Sequence, residues 1–474
     1  MRILLLLLCC ISSAWAQSIH EEQSRQYGQL PYKTEAEFDQ FNGYSTTKVG
    51  PRESGVNYTL QKKVFGFNPY WVGSAYNSYD YSLLSTIAYF SYEVEPKTGA
   101  YTTIRDWKTT SLVPLAQSKG CKVVLSVTNF GTSANQTLLN NPQSRKVLID
   151  SLVSLVKFRF ANGINIDFES VPSSVRDSLS KFMGDLSVRL KATIPGAVLS
   201  IDLPAVDWNN SFDVKSLTPL VDEFLIMGYD YYYSGSTTAG PVSPLKNSQT
   251  FGNLSLTKSV DDYLAKGIPP EKLLLAVPYY GRNWATVSDQ LGAATVSSIS
   301  STSKLFNVAK KEITQYGRRW NTDVMTPYYV YQNGSQWYQT WFDDAESLTA
   351  KYNLIKSKGL AGAGIWALSY DGTEPDLNIA LRNAFTDSPI TSIAEPTISQ
   401  IEVYPNPARR SEGMVLSLPS PAQLSLIDTF GQVISTQQSQ ESTFHLNTEL
   451  IPAGMYLLKV ESQTGVFIKK VWVY

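Results

Sequence analysis

The chain has 474 residues, a length that suits two or three domains at ~100–200 residues each. Its 40 Lys and Arg nearly balance 41 Asp and Glu, giving a formal net charge of −1, and no long run of like charge occurs. Nothing in this balance points to nucleic acid or to an anionic membrane surface as a partner.

In chain order, Met1-Arg2, the apolar run 3–11 and Ala14-Trp15-Ala16 before Gln17 follow the pattern of a cleavable secretory signal, too short to span a bilayer. Leu8 stands before Cys9 where a lipoprotein anchor needs a small residue, so cleavage after Ala16 is expected. No later segment is apolar and long enough to cross a membrane. Residues 17–60 are polar and weakly patterned, which predicts a loosely packed leader. Without the signal, Cys121 is the single cysteine, so no internal disulfide framework is expected. It opens an apolar run and reads as a small buried hydrophobe. His20 and His445 are the only histidines, leaving none between 21 and 444. That gap excludes a Ser-His-Asp triad or a His-rich metal site built from the central region.

From Lys63 onward the texture changes. Short apolar runs recur at 64–68, 86–90, 122–127, 163–169, 198–203, 223–229, 272–278 and 362–368, separated by helical patterns. In 173–194, Val175, Leu179, Phe182, Met183, Leu186 and Leu190 form one stripe at helical spacing. Strands alternating with helices imply a parallel sheet. Eight such units over this length predict an α/β fold of the (β/α)8 TIM-barrel type. An open doubly wound sheet is disfavoured, because no glycine-rich phosphate loop follows the first strand. The longest gap, 279–360, contains an alternating aromatic run around Asn333-Gly334, a strong hairpin signal. It predicts a small insertion between strands 7 and 8. Residues 387–399 read as a linker and 400–474 as a small β-sandwich.

The run Asn162-Gly163-Ile164-Asn165-Ile166-Asp167-Phe168-Glu169 is the most informative stretch. Side chains on a strand alternate between faces, so Asn165, Asp167 and Glu169 share one face. Two carboxylates and an amide inside an apolar strand are costly to bury without a task. Active sites of such barrels lie at the C-terminal ends of the strands. There the other strands offer Trp71, Tyr89, Phe90, Asp202, Asp207-Trp208, Met227, Tyr229, Asp230, Tyr279, Tyr280 and Trp366. Carboxylates among aromatic rings describe a carbohydrate site. Taken singly, the tryptophans suit a core, Asp202 a satisfied buried acid, and an Asp-x-Glu pair a cap or ion pair. Asp167 and Glu169 have Cα atoms ~6.5–7 Å apart and point the same way, so they do not face each other across a substrate. Their closeness should instead raise the pKa of one of them, with Glu169 at the rim as the natural general acid.

The octet resembles the Asp-Gly-x-Asp-x-Asp-x-Glu signature of glycoside hydrolase family 18, the chitinase-like family. Ser126, Met227-x-Tyr229-Asp230 and Trp366 occur in the order the family requires, and the resemblance covers residues 61–386. It implies a substrate-assisted, retaining hydrolysis of β-1,4-linked N-acetylglucosamine polymers, in which the 2-acetamido group replaces an enzyme nucleophile. By the same resemblance, Glu169 is the acid/base, Asp167 orients the acetamido group, Tyr229 bonds its oxygen, Asp230 assists, and Trp366 floors the −1 sugar. Asn165, Met227, Ser126, Tyr89, Phe90 and Tyr279 are expected to complete the substrate-binding wall, with no metal and no cofactor. Asn162 and Asn165 depart from the signature's Asp. The second change resembles a branch of spore-coat and peptidoglycan-type glucosaminidases, so wall glycan and the N-glycan core stand beside chitin as substrates. A non-catalytic, lectin-like barrel is the alternative from another class; the retained Glu169 speaks against it. At the C-terminus, Val403-Tyr404-Pro405-Asn406-Pro407, Asp428-Thr429-Phe430-Gly431 and Pro452-Ala453-Gly454-Met455-Tyr456 resemble the sorting domain of the type IX secretion system. That resemblance implies the secretion machinery as a partner and a secreted or surface location.

Overall fold

A computed structural model describes residues 18–28, 58–386, 403–417, 421–428, 433–441, 443–462 and 465–474. The expected signal 1–16, most of the leader and the linker 387–399 lie outside the described residues. The chain divides into two compact units, 1–387 and 388–474.

In the first unit, the eight expected strands are β1 Lys63–Pro69, β2 Thr86–Val94, β3 Lys122–Phe130, β4 Gly163–Glu169, β5 Val198–Pro204, β6 Glu223–Met227, β7 Leu273–Pro278 and β8 Gly362–Trp366. Each pairs in parallel with the next. β8 returns to β1, with Lys63 opposite Gly362, and closes the barrel. Closure leaves no open edge and turns alternate side chains into a filled interior.

β4 illustrates how sequence becomes geometry. A Cβ at Gly163 would lie 2.0 Å from the Val198 carbonyl oxygen, so only glycine lets β5 approach there. Phe168 points outward and stacks on Phe182 at 5.7 Å. Phe182 belongs to the helix Arg176–Thr193, whose stripe of Leu179, Phe182, Met183, Leu186 and Leu190 is buried. The opposite face of β4 therefore turns Asn165 and Asp167 into the barrel. Asn162 sits at the strand's entrance, where its Oδ1 accepts from the Val123 amide at 2.8 Å and from Gln117 Nε2 at 3.2 Å. This is a structural task. Cys121 is buried, and its thiol, pushed up to about 12 by burial, faces the Leu84 carbonyl at 2.9 Å.

The insertion after β7 is a five-stranded antiparallel sheet in the order 302–305, 280–286, 336–341, 326–333 and 319–321. Its tight turn at Asn333-Gly334 places Gly334 at φ 60°, which glycine adopts without steric cost. The second unit has a three-stranded and a four-stranded antiparallel sheet around Met414, Leu416, Leu424, Leu426, Leu458 and Val460.

One departure concerns the leader. Residues Ile19–Gly28 form a helix, α1, in which Ile19, His20 and Gln23 are buried rather than loosely packed.

Candidate active site

The interior row of β4 anchors a polar layer. Ser126 Oγ on β3 donates to Asn165 Oδ1 at 2.9 Å. Asn165 Nδ2 then donates to Ser200 Oγ at 3.2 Å and to Asp202 Oδ1 at 3.0 Å on β5. Asn165 thus spends its amide on the layer beneath Asp167. Burial, reinforced by the charge of Asp167, pushes the Asp202 carboxyl well above its ordinary range.

Asp167 is fully buried. Burial raises its pKa to about 6, with the charge of Glu169 adding and His20 opposing. The raised carboxyl expected of the pair therefore falls on the inner member. Tyr229 lies opposite, its phenol held well above its ordinary pKa by burial and by the charges of Asp202, Asp167 and Glu169. Asp230, at φ 57°, accepts from the Tyr280 hydroxyl at 2.7 Å. Burial raises its pKa to about 6, against the pull of the Arg282 guanidinium.

The centre of this cup holds His20. Its Nδ1 lies 3.1 Å from Asp167 Oδ2 and 2.8 Å from Glu169 Oε1, and its Nε2 lies 3.1 Å from the Tyr229 hydroxyl. The ring stands 3.8 Å from Trp366, with Phe90 at 5.7 Å. Burial alone would strip its proton, but the carboxylates of Asp167 and Glu169 outweigh that and raise its pKa to about 10. The ring is an imidazolium, so both nitrogens donate. The Nδ1 and carboxylate atoms of His20, Asp167 and Glu169 lie within 4.8 Å of one another. In its protonated form the ring pairs with both carboxylates as an ion pair.

The rest of α1 continues the engagement. Ser18 Oγ accepts from the His20 amide at 3.1 Å and donates to Glu169 Oε1 at 2.6 Å. Gln23 Oε1 accepts from Trp366 Nε1 and from the Tyr370 hydroxyl, each at 2.8 Å. Gln23 Nε2 donates to Ser303 Oγ at 2.8 Å. Glu22 receives both terminal nitrogens of buried Arg282, at 2.9 and 2.6 Å.

The structure thus gathers Glu169, Asp167, Tyr229, Trp366 and Phe90 around one point, with Asn165 and Ser126 beneath and Asp230 beside Arg282. Met227 lines an adjoining cleft of about 650 Å³ that also holds Glu169, Tyr229, Asp207 and the exposed Trp208. Two expected wall residues face elsewhere. Tyr89 alternates with Phe90, so its ring turns outward to Trp107 at 5.5 Å and its hydroxyl accepts from the Asp106 amide. Tyr279 points away toward Tyr352 and Asp371. Sequence reasoning also missed His20, Glu22, Gln23, Arg282 and Tyr370. Arg282 left a trace as a lone cation in an aromatic strand, Tyr280–Thr286. The gap in histidines wrongly removed imidazole from consideration, because His20 enters the barrel from outside it.

The family model for glycosyl hydrolases family 18 matches residues 63–371, and that for a secretion-system C-terminal sorting domain matches 402–474. A Bacillus subtilis protein named as a sporulation-specific glycosylase, YdhD, is 26% identical over 60% of this chain, which spans 66% of that relative. The endochitinase of Brugia malayi is 27% identical over 60% of this chain and 62% of its own length. The di-N-acetylchitobiase of Mus musculus is 25% identical over 61% of this chain and 78% of its own length. The chain thus spans less than two thirds of the first two of these relatives. Among solved structures, a class V chitinase from Nicotiana tobaccum superposes with a TM-score of 0.61 at 20% identity, covering 68% of this chain and 99% of that one, a likeness of fold. The chain belongs to family 18 of the glycosyl hydrolases and ends in a sorting domain that marks it for secretion or the cell surface.

Proposed function

We propose that the chain hydrolyses β-1,4-linked N-acetylglucosamine polymers with retention of configuration, the substrate supplying the nucleophile. One observation carries this reading. The cup formed by Asp167, Glu169 and Tyr229 over Trp366 holds a flat, five-membered, positively charged ring. An oxazolinium ion, formed when a 2-acetamido oxygen attacks the anomeric carbon, has the same shape and charge.

In the proposed reaction, Glu169 gives its proton to the glycosidic oxygen as the C1–O bond breaks. The acetamido carbonyl oxygen bonds to C1 on the opposite face. Asp167 accepts the acetamido N–H and offsets the positive charge, while the Tyr229 hydroxyl donates to the acetamido oxygen. Glu169 then takes a proton from water, whose oxygen attacks C1 and reopens the ring. Asn165 ties Ser126, Ser200 and Asp202 into the layer beneath Asp167 and carries no proton. The aromatic cleft with Trp208 receives the leaving end of the polymer. The chain is exported by the type IX machinery, with borders at 1–16, 17–60, 61–386, 387–399 and 400–474.

Glu169→Gln should lower reducing-end release from chitotetraose by about 10²–10⁴-fold, the range for a lost general acid. Oligosaccharide binding by calorimetry should persist. A variant that turns over like its parent overturns the assignment.

Arg282 favours a second polymer. This buried guanidinium holds a carboxylate in bidentate fashion, the recognition an acidic sugar substituent would use. Wall glycan offers that group on muramic residues whose lactyl carboxyl bears no stem peptide, and a cortical fragment-lytic enzyme of Bacillus anthracis is 24% identical over 60% of this chain. Mass spectrometry of products from chitin oligomers and from wall glycan decides between the two.

A further inference from the structure

The contacts of α1 fall on the groups that the proposed chemistry needs and on their neighbours in the cup. Glu169 is bonded by Ser18 and His20, Asp167 and Tyr229 by His20, Trp366 and Tyr370 by Gln23, and Arg282 by Glu22. The His20 ring lies against Trp366 at stacking distance, where a sugar face would rest. His20 and a −1 sugar cannot occupy this space together. We propose that residues 18–28 are a built-in inhibitory segment that fills the sugar site as a mimic of the charged intermediate and keeps the enzyme latent until it is displaced or cut away. The proposal rests on the glycosidase reading above.

Two further observations support it. The mimicry is chemical as well as steric: the imidazolium offers Asp167 a donor and a positive charge, the two things an acetamido-derived cation offers. The segment is also built to leave. A ten-residue helix is marginal alone in water. Of its apolar side chains only Ile19 is fully buried, so it is held chiefly by polar bonds at the site itself. A segment tethered in the same chain acts at an effective concentration on the order of mM, enough to suppress binding of short sugars while yielding to a polymer with many contacts. The apparent affinity for substrate then falls in proportion to the undocked fraction.

The chain's two histidines make a direct test available. In the full chain labelled with ¹⁵N-histidine, His20 should read as an imidazolium at pH 8, with His445→Gln assigning the signals. Saturating chitotetraose added to the Glu169→Gln chain should move the His20 signal to that of a solvent-exposed ring. In parallel, His20→Ala/Gln23→Ala should raise kcat/KM on chitotetraose by about 10–100-fold, the worth of one or two hydrogen bonds to charged groups. Gln26→Ala, at an exposed position of the same helix, should match the parent. An exposed, neutral His20 at pH 8 overturns the proposal, as does a double variant no faster than its parent. A docked His20 in a chain that neither binds nor cleaves the oligosaccharide, with or without the double substitution, overturns the sugar reading itself and the proposal with it.

Discussion

The barrel interior and the C-terminal unit bury their polar groups in opposite ways. In the C-terminal unit the core is Met414, Leu416, Leu424, Leu426, Leu458 and Val460, and buried hydroxyls such as Ser439 and Thr448 bond to nearby backbone carbonyls. Among the described residues, every buried side-chain oxygen or nitrogen without a hydrogen-bond partner belongs to the barrel unit, Asp167 Oδ1 and Asp202 Oδ2 included. An unpaired buried carboxylate oxygen costs free energy that a purely structural core avoids. The barrel unit carries that cost at the site, in Asp167 and Asp202, and also away from it, as in Asp343, whereas the described part of the C-terminal unit carries none.

The sharpest probe of this contrast lies away from the site. Lys351 and Asp343 form a fully buried ion pair in the barrel unit, supported by Ser347. Lys351→Met should destabilise this unit by about 3–5 kcal/mol, because it strands a buried carboxylate. Lys351→Met/Asp343→Leu should recover most of that loss in chemical denaturation. Equal losses would mean that the charge is screened and the contrast is weaker than drawn. Next in size, Asp167→Asn should lower kcat by about 10²–10³-fold, the cost of one misplaced electrostatic partner to a developing charge. Steady-state rates on chitotetraose check this, with melting temperature confirming that the fold survives.

The C-terminal unit gives the converse. Leu426→Ala should destabilise that unit by about 2–4 kcal/mol through a cavity, with no change in hydrolysis rate. A fall in rate would break the separation between the two regions. The smallest effect concerns Asp202. Its folded carboxyl is raised well above the ordinary 3.8, so the folded chain holds the proton more tightly than the unfolded one. The stability it contributes is full below that ordinary value and is lost as pH rises through the higher folded pKa. Asp202→Asn is neutral at every pH and should therefore gain on the parent in melting temperature as pH increases from 4 to 9. A constant difference would show that Asp202 is ionised in the folded state.

Much of this molecule is written locally. The eight strands, the helix at 176–193 and the hairpin at Asn333-Gly334 follow from periods of 2 and 3.6 and from glycine's freedom at positive φ, all properties of neighbouring residues. The same period placed Asn165, Asp167 and Glu169 on one face. It equally signalled that Tyr89 and Phe90 must diverge, and only the interior position of Phe90 tells which of them meets the site.

The sequence by itself therefore determined the barrel, its row of acids, the family and the separate C-terminal unit, because each leaves a periodic or motif-length imprint. Tertiary structure alone decided what sits in the cup. His20 meets Asp167 across 147 residues and Glu22 meets Arg282 across 260. Contacts at such separation arise from shape and charge complementarity between two finished surfaces. That complementarity has no period along the chain, so a polar leader with one histidine looked empty until its helix was seen seated on Trp366.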